Sequence, residues 1–565
     1  MWISVGSCSR LVRNELLKKC CYAARVAAAD SIVRRQWASI FTIRRGGNVS
    51  VDKDFVLSAL LQHNFFPTQK KAKEEMPPIF TSVAFTPDVA SKLIAGKPRK
   101  VDGYQGYDAV EYKLTRFNGV SRSCSIPHPT AYAHLSMCIH EHWDKLEFIA
   151  KNKISGIRPR EHSDGRLIIM DYEKSFEKTK WKLSSAFGRR FMVHTDISNY
   201  FPSVYSHAIP WAAVGFDYAK KHKPPKHKTE WFNQLDEKVR WLKRGETQGV
   251  AIGPATSNVV SEVILARVDE TLRDKFVYTR FIDDYTAYCE TEEKAQEFVR
   301  RLAEELAKYK LLLNIRKTEV VPLPHALAAD WVAELSLALP RSTEVSAPDA
   351  INYLNLAVRL AQQTPDGSVL KYALKSLVSR KLGFMADVDV LRYALTLSFH
   401  HPVLLPLLEI LFDSTMFSSI FLYASELQQL ALEHARLRRS DATAWALYYL
   451  NKYSVAVEAA CADEILASRD CVSLLLLYLS GDPLHQTRVL AFATGLDPAD
   501  LYELDQYWLL LYELAREGKI VSPYRDEDAF EVMATNAVCF IKPPELTASE
   551  GGSSSTEPTD EGSGT

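Results

Sequence analysis

The chain has 565 residues, no formal net charge at pH 7 and 47 % apolar residues, a composition that describes a globular protein of roughly two to four domains. The absence of net charge argues against a surface that grips nucleic acid all over, while local basic patches stay open. Nine scattered cysteines without a Cys-x-x-Cys pair exclude a zinc framework and a disulfide scaffold, and no apolar run reaches the ~18 residues that span a bilayer.

Residues 1–43 are basic, with Leu16, Leu17, Cys21 and Val26 at helical spacing, and they predict an amphipathic first helix. A transit-like segment is the alternative; the continuous apolar core of a secretory signal is missing. Gly46-Gly47-Asn48 breaks that pattern, and residues 61–78 predict a helix running into a Pro-rich turn. Between residues 112 and 137 stand Arg116, Arg122 and the turn Ser125-Ile126-Pro127-His128-Pro129. Residues 151–166 add Arg158 and Arg160, with Asp164-Gly165 between two extended runs as a hairpin signal.

An apolar run then ends in an acid: Phe191-Met192-Val193-His194-Thr195-Asp196-Ile197-Ser198-Asn199-Tyr200-Phe201-Pro202 reads as a strand stopped by Pro, with Asp196 near its end. The sharpest basic run follows, Ala219-Lys220-Lys221-His222-Lys223-Pro224-Pro225-Lys226-His227-Lys228, and its prolines predict an exposed loop suited to nucleic acid or an RNA partner. Trp231 and Phe232 are candidates for stacking faces or core anchors. A Gly/Pro-interrupted loop at residues 248–258, centred on Gly253, feeds an amphipathic helix over 259–276, and such a loop lets backbone approach a nucleotide closely. Then comes Arg280-Phe281-Ile282-Asp283-Asp284-Tyr285, read as strand, tight turn carrying both acids, and returning strand. Adjacent carboxylates stay ionised together only with cations between them, and hard oxygen ligands suit Mg²⁺. A strand-end Asp facing an Asp-Asp hairpin can hold two such ions about 3.5–4 Å apart, as in-line phosphoryl transfer requires.

The ordered set of strand-Asp, small-residue loop with helix, and Asp-Asp hairpin resembles the A, B and C motifs of reverse transcriptases, and Leu312-Leu313-Asn314-Ile315-Arg316-Lys317-Thr318 resembles motif D. More narrowly, residues 125–129, 205–212 and 253–257 resemble the bacterial abortive-infection and defence-associated reverse transcriptases, including the second enzyme of the type 3 defence system. The resemblance covers residues 61–322 and implies an α+β fold: right-hand fingers and palm over 61–325, after an N-terminal helical extension over 1–60. It also implies a catalytic set of Asp196, Asp283 and Asp284 around two Mg²⁺ ions, with the Ile197 carbonyl as a further metal ligand. For the triphosphate it implies Arg122, Arg158, Arg160, Gly253 and Lys317. Phe201, five residues beyond the first Asp, would exclude a 2′-hydroxyl and favour deoxynucleotides. Two positions depart from the commoner pattern: Ile252 stands where a Gln usually precedes the Gly, and Asn258 replaces a Pro. These departures put ordinary templated fidelity and processivity in doubt, since Ile cannot hydrogen-bond near the sugar.

Beyond residue 325 the sequence is almost all helix formers with short Asp/Pro/Ser/Gly breaks, which with the resemblance predicts an all-α HEAT-like repeat domain over 326–540. Residues 541–565 predict a disordered tail. The expected partners are dNTPs, a non-coding RNA or DNA product bound through Lys220, Lys221, Lys223, Lys226 and Lys228, a second reverse transcriptase subunit, and homo- or hetero-oligomerisation. The expected location is the bacterial cytoplasm, without membrane attachment. A polymerase making RNA and a catalytically idle RNA- or protein-binding scaffold are the alternatives, and a priming Tyr or Ser is not identifiable.

Overall fold

The computed structural model describes residues 50–68, 70, 72–96, 99–101, 104–116, 119–170, 175–365, 368–383, 386–414, 420–525 and 527–542. The first helix expected over 1–43 and the tail from 543 lie outside these residues. Among the described residues eight strands form three sheets: a two-residue ribbon of β1 (Lys100–Val101) and β2 (Tyr104–Gln105), a hairpin of β3 (Ala109–Thr115) and β4 (Ser121–Pro127), and a four-stranded sheet. That third sheet has the order β6-β7-β5-β8, from β5 (Phe191–Asp196), β6 (Val277–Phe281), β7 (Asp284–Cys289) and β8 (Glu319–Pro322), with every neighbour antiparallel. β5 and β7 sit at its centre, which fits their run of β-branched and aromatic residues.

The helix Glu292–Ala307 covers this sheet with Ala295, Phe298, Leu302 and Leu306, a stripe at helical spacing, and Phe298 meets the rings of Phe276 and Tyr278. Its start is fixed by Thr291, whose hydroxyl accepts from the Lys294 N–H. The neighbouring helix Ala255–Leu272 is not amphipathic as read from the sequence: it begins three residues after Ile252 and is buried nearly all round, including Ser257, Asn258, Ser261, Glu262 and Asp269. The loop expected up to 258 ends at Pro254, and Thr256, Ser257 and Asn258 enter the helix, where tertiary enclosure overrides their weak helix preference. Residues 311–315, β-prone in sequence, form only a bridge between Leu313 and Ile197, followed by a 3₁₀ turn at Ile315–Lys317. The hairpin signal at Asp164-Gly165 closes through the Arg160 N–H to Leu167 and the His162 N–H to Arg166, without regular strands.

From Asp330 to Thr535 the described residues are helical apart from short turns, among them those at 401, 481–482 and 495–498. The turn at His401 leads into the 3₁₀ segment Pro402–Leu404, and Asp482 caps the helix Pro483–Thr494. The apolar stretch at 472–479 is the buried helix Cys471–Tyr478. No helix among the described residues is long and apolar enough to cross a membrane. These helices share a core with the segment around β3 and β4. Phe540 stacks on Phe65 at 5.5 Å, Trp508 Nε1–H donates to the Ile126 carbonyl, and the Thr81 N–H donates to the Phe540 carbonyl. A buried Arg99 pairs with Asp505 and Glu527 across the same contact. Residues 541–542 continue it, Ile541 bridging Phe80.

Candidate active site

Asp196 is the last residue of β5 and lies directly across from Asp284, the first residue of β7. The hairpin turn itself consists of Ile282 and Asp283, so only one of the two acids is in the turn and the other already belongs to the strand. Ile282 takes φ +58°, a left-handed conformation that a β-branched residue adopts only under tertiary constraint, at a cost of roughly 1–3 kcal/mol. The Ile197 N–H donates to the Asp283 carbonyl at 3.2 Å, joining the turn to the end of β5. Burial, the nearby Asp196 charge and then the Asp284 charge push the Asp283 carboxyl up to about 7, and it lies within hydrogen-bonding reach of Asp196.

Lys317, on the 3₁₀ turn, donates to Asp196 Oδ2 at 2.8 Å, and this bond raises its pKa above the ordinary lysine value. The sequence suggested a triphosphate contact for Lys317; the structure gives it a carboxylate partner. Its turn is tied to β5 by the Asn314 N–H to the Asp196 carbonyl and the Ser198 N–H to the Leu312 carbonyl.

Phe201 follows on the short helix Tyr200–Ser203 and is buried. Its carbonyl accepts from the Val250 N–H, so the 248–254 loop is fastened beside it. The Arg122 guanidinium, from β4, lies 5.9 Å from the Phe201 ring centre; burial lowers its pKa, against an opposing contribution from the Asp283 charge. Gly253 has φ +126°, and a Cβ there would come within 3.1 Å of the Ser125 carbonyl and 3.0 Å of Pro67, so only glycine lets this loop lie against β4. Arg158 and Arg160 sit on a loop held to β6, where the Gly156 N–H donates to the Arg280 carbonyl and the Arg280 N–H to the Ile154 carbonyl. Their guanidinium groups reach back to the Ser155 and Gly156 carbonyls of that loop.

The basic lysines form a separate surface. Lys220 and Lys221 end the helix Phe216–Lys221, while Lys223, Lys226 and Lys228 follow on turns, and all five are exposed. Lys228 pairs with Glu237, and Lys220 lies 4.9 Å from the Trp211 ring centre. The buried Asn233 amide donates to both the His222 and His227 carbonyls, which fixes the loop's two ends. Phe232 is a core anchor, while the exposed aromatics here are Phe216 and Tyr218.

Sequence reading missed the polar network beneath the hairpin. Arg280, wholly buried, pairs with Glu262 at 2.7 Å and Asp269 at 2.8 Å, and Asp269 also accepts from Asn152 and the Tyr278 hydroxyl. Glu262 and Asp269, seven residues apart and so two turns along one helix, and an Arg among the apolar residues of a strand were the available signals.

Among the described residues no group of three or more His, Cys, Asp or Glu is arranged to hold a metal ion. The donor chemistry nevertheless fits a hard divalent cation. All three acids supply oxygen, and the raised Asp283 pKa reports negative charge crowded away from water.

No curated protein matches the chain. Among solved structures it is similar to apo telomerase from Candida tropicalis, with 11 % identity over 74 % of this chain and 73 % of that one and a TM-score of 0.29. A form of that telomerase truncated from its C-terminal domain gives 13 % identity over 43 % of this chain and 55 % of that one, with a TM-score of 0.28. Telomerase from Candida albicans in complex with a TWJ fragment of telomeric RNA gives 11 % identity, 73 % and 68 % coverage, and 0.29. Residues 141–356 match the family model described as reverse transcriptase (RNA-dependent DNA polymerase), a match that takes in Asp196, Phe201, Asp283, Asp284 and Lys317 and begins beyond Arg122. This stretch of the chain is a reverse transcriptase domain.

Proposed function

We propose that the protein is a DNA polymerase of reverse-transcriptase type, joining deoxynucleotides to a 3′-hydroxyl or a protein hydroxyl by two-metal phosphoryl transfer in bacterial antiphage defence. The observation that carries the chemistry is the register of β5 against β7, which sets Asp196 opposite Asp284 with Asp283 in reach of both. Asp196, Asp283, Asp284 and the Ile197 carbonyl are the groups that would hold Mg²⁺. When bound, the metal would supply activation of the attacking hydroxyl and charge stabilisation of the leaving pyrophosphate.

The chain's own side chains do the remainder in this reading. The Phe201 ring floors the sugar, and Arg122 beside it meets triphosphate charge. Arg158 and Arg160 approach from the loop on β6, Gly253 lets the 248–254 loop close on the nucleotide, and the Lys317 ammonium stands ready as a proton donor near the leaving group. Lys221, Lys223 and Lys226 take the phosphates of a nucleic acid strand, with Lys220 and Lys228 beside them. Support for the defence role is the likeness of residues 125–129, 205–212 and 253–257 to defence-associated enzymes. The same likeness supports a HEAT-like character for the C-terminal helices and assembly with a second reverse transcriptase subunit.

The test is incubation of purified protein, with any RNA that accompanies it, in each labelled dNTP and Mg²⁺. Incorporation of dNTPs and refusal of NTPs is the expected result; sequencing the product reports the template, and protease sensitivity of its mobility reports a protein primer. Absence of incorporation with every nucleotide overturns the proposal. A second reading, an idle scaffold, is favoured by the Lys317–Asp196 pair, which sets an ammonium against a carboxylate the polymerase reading reserves for metal. Protection of cells by an Asp283→Ala/Asp284→Ala protein as strong as by wild type would establish that scaffold.

A further inference from the structure

Arg280 has five N–H donors, and every one has an acceptor. Nε–H donates to Asp269 Oδ2 at 3.0 Å, and Nη2 donates to Asp269 Oδ2 at 2.8 Å and Glu262 Oε2 at 3.0 Å. Nη1 donates to Glu262 Oε1 at 2.7 Å and, with its remaining hydrogen, to the carbonyl of Ile282 at 2.9 Å. Four bonds therefore fix the guanidinium plane to the helix Ala255–Leu272, and the fifth reaches the hairpin turn. Ile282 is the residue with φ +58°, and its carbonyl belongs to the peptide group that begins Asp283. Holding that oxygen sets the peptide plane from which the Asp283 Cα, and so its carboxylate, projects. The backbone of Arg280 is itself held by the Ile154 carbonyl and the Gly156 N–H, so the side chain works from a fixed base.

Stability alone does not account for this arrangement. Burying two acids and one Arg leaves a net negative charge beneath another acid, and apolar residues of similar volume are commonly as stable as a buried ion pair. What apolar residues cannot do is hold the Ile282 carbonyl in a conformation that its β-branched side chain resists.

We propose that Arg280 is a positioning residue: clamped by Glu262 and Asp269, its guanidinium holds the Ile282 carbonyl and thereby aims the Asp283 carboxylate. This rests on the reading of Asp196, Asp283 and Asp284 as a polymerase centre. Lys at this position keeps the charge but has three donors on one nitrogen, so it cannot serve both acids and the turn.

The test compares wild type, Arg280→Lys, the charge-neutral triple variant Arg280→Met/Glu262→Gln/Asp269→Asn, and the surface control Arg300→Lys. Thermal midpoint, dNTP incorporation as separate kcat and KM, and Mn²⁺ affinity are measured for each. The expected result is a folded Arg280→Lys protein with kcat lowered about 100-fold, KM for dNTP within about twofold of wild type, and Mn²⁺ binding weakened about tenfold. The triple variant, which leaves no buried charge unpaired, shows the same losses at a near-normal thermal midpoint, and Arg300→Lys changes nothing. Wild-type kcat and Mn²⁺ affinity in either folded Arg280 variant overturn the proposal. Should wild type itself incorporate no nucleotide, the polymerase reading fails separately. The Mn²⁺ affinities of the four proteins then decide the positioning role.

Discussion

Arg280 beneath the hairpin and His434 in the helix Ala424–Arg436 are both buried, yet they meet enclosure in opposite ways. Arg280 keeps its charge, bracketed by Glu262 and Asp269. His434 loses its charge, since burial lowers its pKa to about 4 and leaves it neutral at pH 7. The tyrosines of the helical region follow His434: Tyr448 donates to Glu409, Tyr449 to the Leu405 carbonyl, Tyr512 to the Val538 carbonyl and Tyr524 to Asp505, and burial raises the pKa of each. Taking an ion out of water costs several kcal/mol. His434 avoids that cost, whereas Arg280 accepts it where a turn with unfavourable backbone has to be held.

The contrast can be broken first at Asp283. Asp283→Ala removes an acid crowded by two others, so nucleotide incorporation should fall by about 10³-fold or more while the thermal midpoint holds or rises. A fall in stability matching the fall in activity would make the acid a structural element.

Next comes pH. His434 and His134, the latter lowered to about 3 by burial, both have folded pKa values below the unfolded 6.5. The unfolded chain therefore takes up protons first as pH drops; the stabilisation is complete above pH 6.5 and is lost on the way down towards 4. Each group should contribute about 1.4 kcal/mol per pH unit in that window, and urea titrations should show His434→Leu losing stability less steeply than wild type. Identical slopes would mean that His434 is accessible to protons in the native state.

On the exposed cations the effect is smaller and depends on salt. Lys221→Ala/Lys223→Ala/Lys226→Ala should weaken single-stranded nucleic acid binding about tenfold at 0.15 M salt and reduce the slope of log K against log salt by about 2. An unchanged slope would remove this loop from the nucleic acid path. The smallest effect is expected at Tyr285, whose buried hydroxyl has no hydrogen-bond partner among the described residues; Tyr285→Phe should be neutral or stabilise by up to about 1 kcal/mol in the same titrations.

Much of the site was legible because its chemistry is local in sequence. An apolar run ending in Asp196, two acids in a tight β-turn context and Gly253 before a helix each carry their own backbone logic, and pairing of β5 with β7 supplies the rest. The Arg280 network was not legible in the same way, because Glu262 and Asp269 look like the polar face of an amphipathic helix until the helix proves buried nearly all round. Nor was the conformation of Ile282, since nothing in a β-branched residue announces a positive φ. The union of Phe540 and Trp508 with Phe65 lies beyond local pattern altogether, as apolar residues do not specify their distant partners.

That last union has a consequence for biosynthesis. Phe65 and Phe540 are 475 residues apart (540 − 65), so at translation rates of about 5–20 residues per second the aromatic cluster begun near Phe65 waits roughly half a minute to a minute and a half for its final ring. Through that interval Phe65 lacks the rings of Trp508 and Phe540, and Phe85 lacks that of Phe540, so the cluster stays open to solvent. A polypeptide cut short before Trp508 should therefore be found in the insoluble fraction.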